Sequence, residues 1–296
     1  DNPRPQSETF VRRTVECFYP GSSFPAISVT GRSCSLDCKH CSRKYLEGMI
    51  PATTPADLLA VAEALAERGA NGFLLSGGAD SKGSVRVAEF AGAIKEIKST
   101  TDLRINAHIG LTPPGDIEKL VESGVDSFSV EVYGSDDTIH EVLGLEARVG
   151  DYLAVVEKLK SCGARTVAPH ICVGVHGGKL KGEPNAVERL KEIRPEVLIL
   201  ISLIPTKGTA YQAVPPPNRE MLLSVVEKAR TDLPDTKLVL GCMRSKMDRS
   251  SELDLVRAGL DGIVLPAAST VERLRSEGYT VKKRSVCCSL ISSSVD

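Results

Sequence analysis

Short apolar runs recur along the chain, each followed by a longer stretch in which apolar residues return every three or four positions. The runs are Ala26–Thr30, Gly72–Leu75, Leu103–His108, Asp126–Val132, Thr166–Val173, Val197–Leu203, Lys237–Leu240 and Gly262–Leu265. Between them lie sequences such as PADLLAVAEALAERGA, GDYLAVVEKLKSCGA and NREMLLSVVEKARTD, which carry helical spacing, the first with a proline at its start. Strand alternating with helix in this way predicts an α/β fold, a (β/α)8 TIM-type barrel or a partly open version of one. No polar linker divides the chain. The expected organisation is an N-terminal extension (1–24), a barrel (25–266), and a C-terminal helix with a cysteine-bearing tail (267–296). Both extensions are expected to fold over the barrel mouth, and the final SSSVD to be a loose end.

Side chains alternate along a strand, so the runs also say which residues look into the barrel. In the fourth run Phe128, Val130 and Val132 face the helices, leaving Ser127, Ser129 and Glu131 inside. In the third, Arg104, Asn106 and His108 face in; in the fifth, His170 and Cys172 do. A purely structural core would not choose such polar inner faces. The C-terminal ends of the strands, where barrel enzymes place their chemistry, are therefore the expected site.

Composition narrows the partners. The 296 residues carry 37 Lys+Arg against 38 Asp+Glu, a formal charge of −1, which argues against a nucleic-acid footprint. With no Trp, 6 Tyr and 6 Phe there is no base-stacking platform either. No apolar run is long enough to span a membrane. The opening DNPRPQSETF lacks the basic and apolar regions of a signal peptide. The nine cysteines, odd in number and without a secretory signal, read as reduced thiols in the cytoplasm.

Three of them lie just after the first run, in GRSCSLDCKHCSRKYL, with Cys34, Cys38 and Cys41 spaced C-x3-C-x2-C. A zinc knuckle would need a fourth ligand, and His40, adjacent to Cys41, is awkwardly placed to supply it. Three cysteines on one loop suit a [4Fe–4S] cluster with one iron left open. The loop resembles the signature of the radical S-adenosylmethionine (SAM) enzymes. That resemblance implies SAM chelated to the open iron and cleaved reductively to a 5′-deoxyadenosyl radical. It implies that His40 packs near the adenine, and that Ser76, Gly77 and Gly78, similar to the family's Gly-Gly-Glu motif, meet the SAM amino group. Ala79 stands where the usual acid would, and Asp80 comes one place late. Glu131 is expected to contact the ribose or methionine moiety; the alternative is a structural acid paired with Arg104. Asn106, His108 and His170 complete the expected cofactor-binding set. Gly78→Val is expected to weaken SAM binding and spare the iron. Further on, Val173–Gly178 and Ile204–Thr209 follow the fifth and sixth runs, and the latter resembles the Pro-x-x-Gly-Thr element of biotin synthase and its relatives.

Of the other thiols, Cys162 ends a helix as a small hydrophobe and Cys172 is ambiguous. Cys17, Cys242, Cys287 and Cys288 are candidate ligands of a second, auxiliary [4Fe–4S] cluster, with Cys242 also a catalytic candidate; the alternative makes Cys287 and Cys288 mere tail thiols. The pattern as a whole is similar to the archaeal-type two-component lipoyl synthases, although the long cysteine-rich N-terminal motif of bacterial lipoyl synthase is missing. That resemblance implies sulfur insertion into an octanoyl-lysyl chain on a carrier protein or lipoyl domain. A related second radical SAM protein and an electron donor such as ferredoxin would assist. The competing readings are a radical SAM enzyme without sulfur insertion, a mutase or hydrogenase maturase, and a non-catalytic metal- or cluster-binding protein.

Overall fold

Each of the eight apolar runs forms a strand of one parallel sheet. The computed structural model describes residues 13–246 and 249–291; the SSSVD end and the opening decapeptide lie outside the described residues. In chain order the strands are β1 (Thr14–Phe18), β2 (Ala26–Ser28), β3 (Ile50–Pro51), β4 (Gly72–Ser76), β5 (Arg104–His108), β6 (Ser127–Glu131), β7 (Val167–Val173), β8 (Val197–Ser202), β9 (Lys237–Leu240), β10 (Gly262–Val264) and β11 (Thr280–Arg284). They pair side by side in the order β11-β1-β10-β9-β8-β7-β6-β5-β4-β2-β3. The outermost strands, β11 and β3, do not pair with each other, so the barrel is open along one seam.

Helices between the strands cover the outer face. The helix Pro55–Glu67 starts where its sequence says it should: the Thr54 side chain accepts from Asp57 N, the Asp57 carboxylate reaches back to Thr54 N, and Pro55 opens the first turn. Outward residues such as Phe73, Leu75, Ile105, Phe128 and Val130 are fully buried against this helical layer.

The inside of the sheet is filled differently at its two ends. Phe18, Ala168, Val197, Ile199, Val239 and Val264 converge with Cys288 and Ile291 in a separate apolar cluster. Cys288 and Ile291 belong to the tail after β11. Asn71, which directly precedes β4, donates from Nδ2 to Ser285 O at 3.2 Å, and Ser127 Oγ at the start of β6 donates to Ser289 O at 3.3 Å. The tail thus enters at the N-terminal ends of the strands, away from the mouth over which it was expected to fold. The N-terminal extension instead contributes β1, paired with β10 and β11. The physical reason is the sheet's own lining. An open barrel with aliphatic inner residues leaves a void at its base, and close packing fills it with the nearest spare apolar segment.

Gly262 on β10 makes room for that plug. A Cβ there would lie 2.9 Å from Phe18 Cε2 and 3.1 Å from Ile291 Cδ1. Gly262→Val is expected to displace the tail and destabilise the protein by about 1–3 kcal/mol, the usual range for overpacking. Chemical denaturation read against wild type checks it; an unchanged midpoint would mean that the plug yields freely.

Candidate functional site

The cysteine loop is clasped by its neighbours. Ser35 N donates to Ala79 O at 2.8 Å, Lys39 N to Val142 O at 2.9 Å, and Tyr211 N to Lys39 O at 3.1 Å. Tyr45 and Thr206 join their hydroxyls at 2.9 Å, fastening the far end of the loop to the Ile204–Thr209 element. Cys41 N and Ser42 N both close back onto Cys38 O at 3.0 Å, and Ser42 and Arg43 take left-handed backbone angles (φ 42° and 66°) to complete the turn. Left-handed residues other than glycine are uncommon and gather at sites where surrounding contacts hold them. Here those contacts fix the direction of Cys41.

The thiols suffer from one another's company. Burial, then the neighbouring Cys41 and Cys34, push the Cys38 thiol up to about 12. Burial likewise raises Cys41. Ionised together they repel, a penalty that bound iron would reverse. Among the described residues no three His, Cys, Asp or Glu side chains converge closely enough to hold one metal ion. A cubane asks for one thiolate on each of three separate irons, and three spaced thiols meet that demand.

Gly78 packs directly on the loop. Its N–H donates to Thr30 Oγ1 at 2.7 Å, and a Cβ at this position would lie 2.0 Å from Ser33 O and 2.5 Å from Cys34 Cβ. The expectation that Gly78→Val would spare the iron is therefore overturned. The branched side chain strikes the backbone that carries Cys34 before it reaches any ligand, so iron content is expected to fall along with SAM binding. Metal analysis after anaerobic reconstitution checks this; full iron with weak SAM binding would mean that the loop gives way without losing its thiolates. Thr30 is the residue that sequence reasoning missed here, because a hydroxyl ending a strand carries no signal of its own. Ser76 Oγ donates to His108 O at 3.2 Å, and the Asp80 carboxylate accepts from Lys82 N and Ser84 N at 2.8 and 3.0 Å. The Ser76 hydroxyl is committed to the neighbouring strand β5 and the Asp80 carboxylate to its own turn.

Below the loop the inner faces of β5, β6 and β7 meet as the alternation requires. His108 Nε2 lies 2.8 Å from Glu131 Oε1, and the His108 and His170 rings stack tilted with centroids 5.4 Å apart. Burial pushes Glu131 up, but the close ion pair with His108 and the nearby His170 outweigh it, leaving the carboxyl at about 2. His108 is raised: burial opposes its charge and Glu131 overcomes that. Burial and the His108 charge lower His170 to about 4. Its Nδ1 donates to Ala168 O at 2.9 Å, so the neutral ring keeps Nε2 as a free acceptor. The alternative of Glu131 paired with Arg104 is corrected: Arg104 Nη1 bonds Asp126 Oδ1 at 3.2 Å at the other end of the barrel. Asn106 is also corrected. It is 2% exposed and taken up by Ser129 and Cys287, so it does not line an open cofactor surface.

The Glu131–His108 pair carries a pH signature. With its carboxyl at about 2, below the ordinary value near 4.3, Glu131 contributes stability that is complete above that value and lost as pH falls towards 2. His108, raised, contributes stability complete below its ordinary value near 6.5 and lost as pH rises through the raised one. A third of Glu131 remains exposed, so the discounted effect is about 1 kcal/mol. Denaturant midpoints of wild type and Glu131→Gln should converge at acid pH and separate near pH 6; parallel curves would deny the pairing.

The remaining cysteines separate. Cys17 is fully buried on the outward face of β1, in the main core between sheet and helices, and burial pushes its thiol up to about 11. Its expected place in a second cluster is corrected: strand alternation turns Glu16 and Phe18 inward and Cys17 towards the helices. Cys287 points into the barrel beside Asn106 and Ser289, and burial, followed by the Cys287 charge, raises the thiol of Cys242, which follows β9. Cys172 packs against the same apolar cluster around Tyr133 and Tyr152 as Cys38 does.

The residues fit the expected groups. Cys34, Cys38 and Cys41 offer three thiolates for one cluster. His40 Nδ1, next to them, is buried without a hydrogen-bond partner, and burial lowers the ring to about 4, so it waits as a neutral polar edge. The ionised Glu131 and the free His170 Nε2 are acceptors for hydroxyl or amino groups.

Comparison with known proteins agrees. Biotin synthase of Allorhizobium ampelinum is 22% identical over 246 residues, covering 80% of this chain and 74% of that protein. Among solved structures, the hydrogenase maturase HydG superposes with a TM-score of 0.64 at 16% identity; the match covers 88% of this chain but only 58% of HydG. Methylornithine synthase (PylB) gives a TM-score of 0.63 at 16% identity, covering 91% of this chain and 83% of that one. At such identities these two show the fold alone. The sequence family described as the radical SAM superfamily matches residues 28–190. A match over more than half of the chain, running through the loop of Cys34, Cys38 and Cys41, makes this protein a member of the radical SAM superfamily.

Proposed function

We propose that the protein is a sulfur-inserting radical SAM enzyme of the lipoyl-synthase type, acting on an octanoyl-lysyl chain presented by a carrier protein or lipoyl domain. In such an enzyme the first cluster and SAM supply the hydrogen-abstracting radical, and an auxiliary [4Fe–4S] cluster supplies sulfur. The observation that carries the reading is the second group of thiols. The tail brings Cys287 and Cys288 into the barrel, Cys287 against Asn106 of β5, and the exposed Cys242, which follows β9, has its thiol raised by burial and by the Cys287 charge. A tail that merely plugged the base would need only apolar residues, as Leu290 and Ile291 provide. Cys242, Cys287 and Cys288 are the thiols that would hold the auxiliary cluster, and with Cys17 turned away the remaining ligand comes from elsewhere.

The chain's own residues set the stage. Cys34, Cys38 and Cys41 would hold the first cluster at the mouth, with His40 beside it. Glu131 and His170 would accept hydrogen bonds from SAM, and the Glu131–His108 pair keeps that carboxylate charged. A cleft of about 520 Å³ bordered by Thr30, Ser33, Cys34, Ser35 and Gly78 opens beside Cys34, and an electron donor such as ferredoxin would approach the first cluster there. Among the described residues no helix is long and apolar enough to cross a membrane.

Anaerobic reconstitution tests the reading. Two cubanes would give about eight iron and eight sulfide per chain, one cubane about four. Mass spectrometry of an octanoyl-lysyl peptide, with and without a related second radical SAM protein, should show added sulfur. About four iron with release of 5′-deoxyadenosine and no thiolation would favour a mutase or maturase. No 5′-deoxyadenosine under strong reductant would indicate a chain that only binds a cluster.

A further inference from the structure

Cys287 is held from two sides inside the barrel. Asn106 Nδ2 donates to its Sγ at 3.4 Å and Ser289 Oγ donates to it at 3.3 Å. Asn106 is itself pinned, since its Oδ1 accepts from Ser129 Oγ at 3.1 Å. Asn106 and Ser129 are 2% and 1% exposed. An amide and a hydroxyl so deeply buried cost free energy unless each finds a partner. Here the Ser129 hydroxyl is satisfied by the amide oxygen, and one of the amide's two N–H donors is spent on sulfur, although a leucine and an alanine would fill the same space without that demand.

We propose that Asn106, locked by Ser129, is a positioning residue that holds the Cys287 sulfur towards the barrel interior as a hydrogen-bonded ligand. The role rests on the reading of Cys287 as a ligand of the auxiliary cluster. Strands β5 and β6 thereby control the tail: the register that sets Asn106 beside Ser127, and Ser129 beside His108, also fixes the sulfur beneath the His108–Glu131 pair. An N–H directed at a ligating sulfur stabilises it as negative charge builds up, so it raises the reduction potential of the cluster it binds.

Asn106→Leu and the milder Ser129→Ala, both in the full chain, test this. In the metal-free protein, alkylation of Cys287 by iodoacetamide is followed by tandem mass spectrometry of the C-terminal peptide. Asn106→Leu is expected to slow it about tenfold, the equivalent of one hydrogen bond to a charged group, and Ser129→Ala less. After reconstitution, the potential of the second cluster should move negative in both variants, a shift that loss of packing alone would not give. Alkylation within twofold of wild type in both would overturn the role, as would an unchanged potential in a protein that holds about eight iron. If wild type holds only about four iron, the auxiliary-cluster reading fails, and the alkylation rates still decide the hydrogen bond. Should Asn106→Leu not fold, the alkylation rate and cluster potential of Ser129→Ala decide the role.

Discussion

Replacing Cys38 with alanine is expected to abolish reductive cleavage of SAM in a protein that still folds. Cys38 packs against the cluster of Tyr133, Leu143 and Tyr152, with its sulfur 3.9 Å from Leu143 O, and the loop around it is fixed by bonds to Val142, Ala79 and Thr206 that do not involve the thiol. Losing one sulfur from this wall costs about 1 kcal/mol or somewhat more, in line with a small cavity. The functional loss is of another order. With two thiolates in place of three, the cluster has no stable seat, and the effect should exceed the roughly 10–100-fold seen when only an outer-sphere partner of a metal is removed. The measurement is 5′-deoxyadenosine released under strong reductant, with iron content alongside. A Cys38→Ala protein that cleaved SAM near the wild-type rate would sink the assignment of the loop. Cys34→Ala and Cys41→Ala should behave alike, since each would hold one iron.

Cys242→Ala is expected to divide two activities that share one barrel. The residue follows β9 and is exposed, so substitution leaves the core untouched. Its backbone neighbours are held independently: Gly241 N bonds Leu200 O at 2.8 Å, and Arg244 bonds Gly241 O at 2.7 Å and Glu252 at 3.2 Å. The SAM cluster has its own three thiolates on another loop and should keep its iron and its cleavage of SAM. Sulfur transfer to the octanoyl chain should stop, and iron should fall from about eight towards about four per chain. A variant that keeps all its iron and still thiolates substrate would leave Cys242 without a ligand role.

The sequence by itself determined the parts that depend on local periodicity and spacing. Eight apolar runs became eight parallel strands because a parallel strand buried on both faces has few other sequences available to it. Alternation within Ser127–Glu131 and Arg104–His108 named the inward residues correctly, since a strand has only two faces. The C-x3-C-x2-C loop suggested a cluster by its spacing, and its resemblance to the radical SAM signature supplied the rest of the expected chemistry. Only the tertiary structure decided what depends on distant segments meeting. The short β3, and β1 and β11 in the extensions, have no patterning strong enough to stand apart; they exist through their partners. The face of β1 that Cys17 occupies followed from its pairing with β10 and β11, which turned a candidate ligand into core. Glu131 chose His108 over Arg104 because Asp126 already holds that arginine at the other end of the barrel. The tail entered the base, bringing Cys287 to Asn106 across 181 residues of chain, because an open aliphatic barrel had to be filled. Contacts of that separation have no trace in local sequence; they are set by which surfaces remain uncovered once the strands have paired.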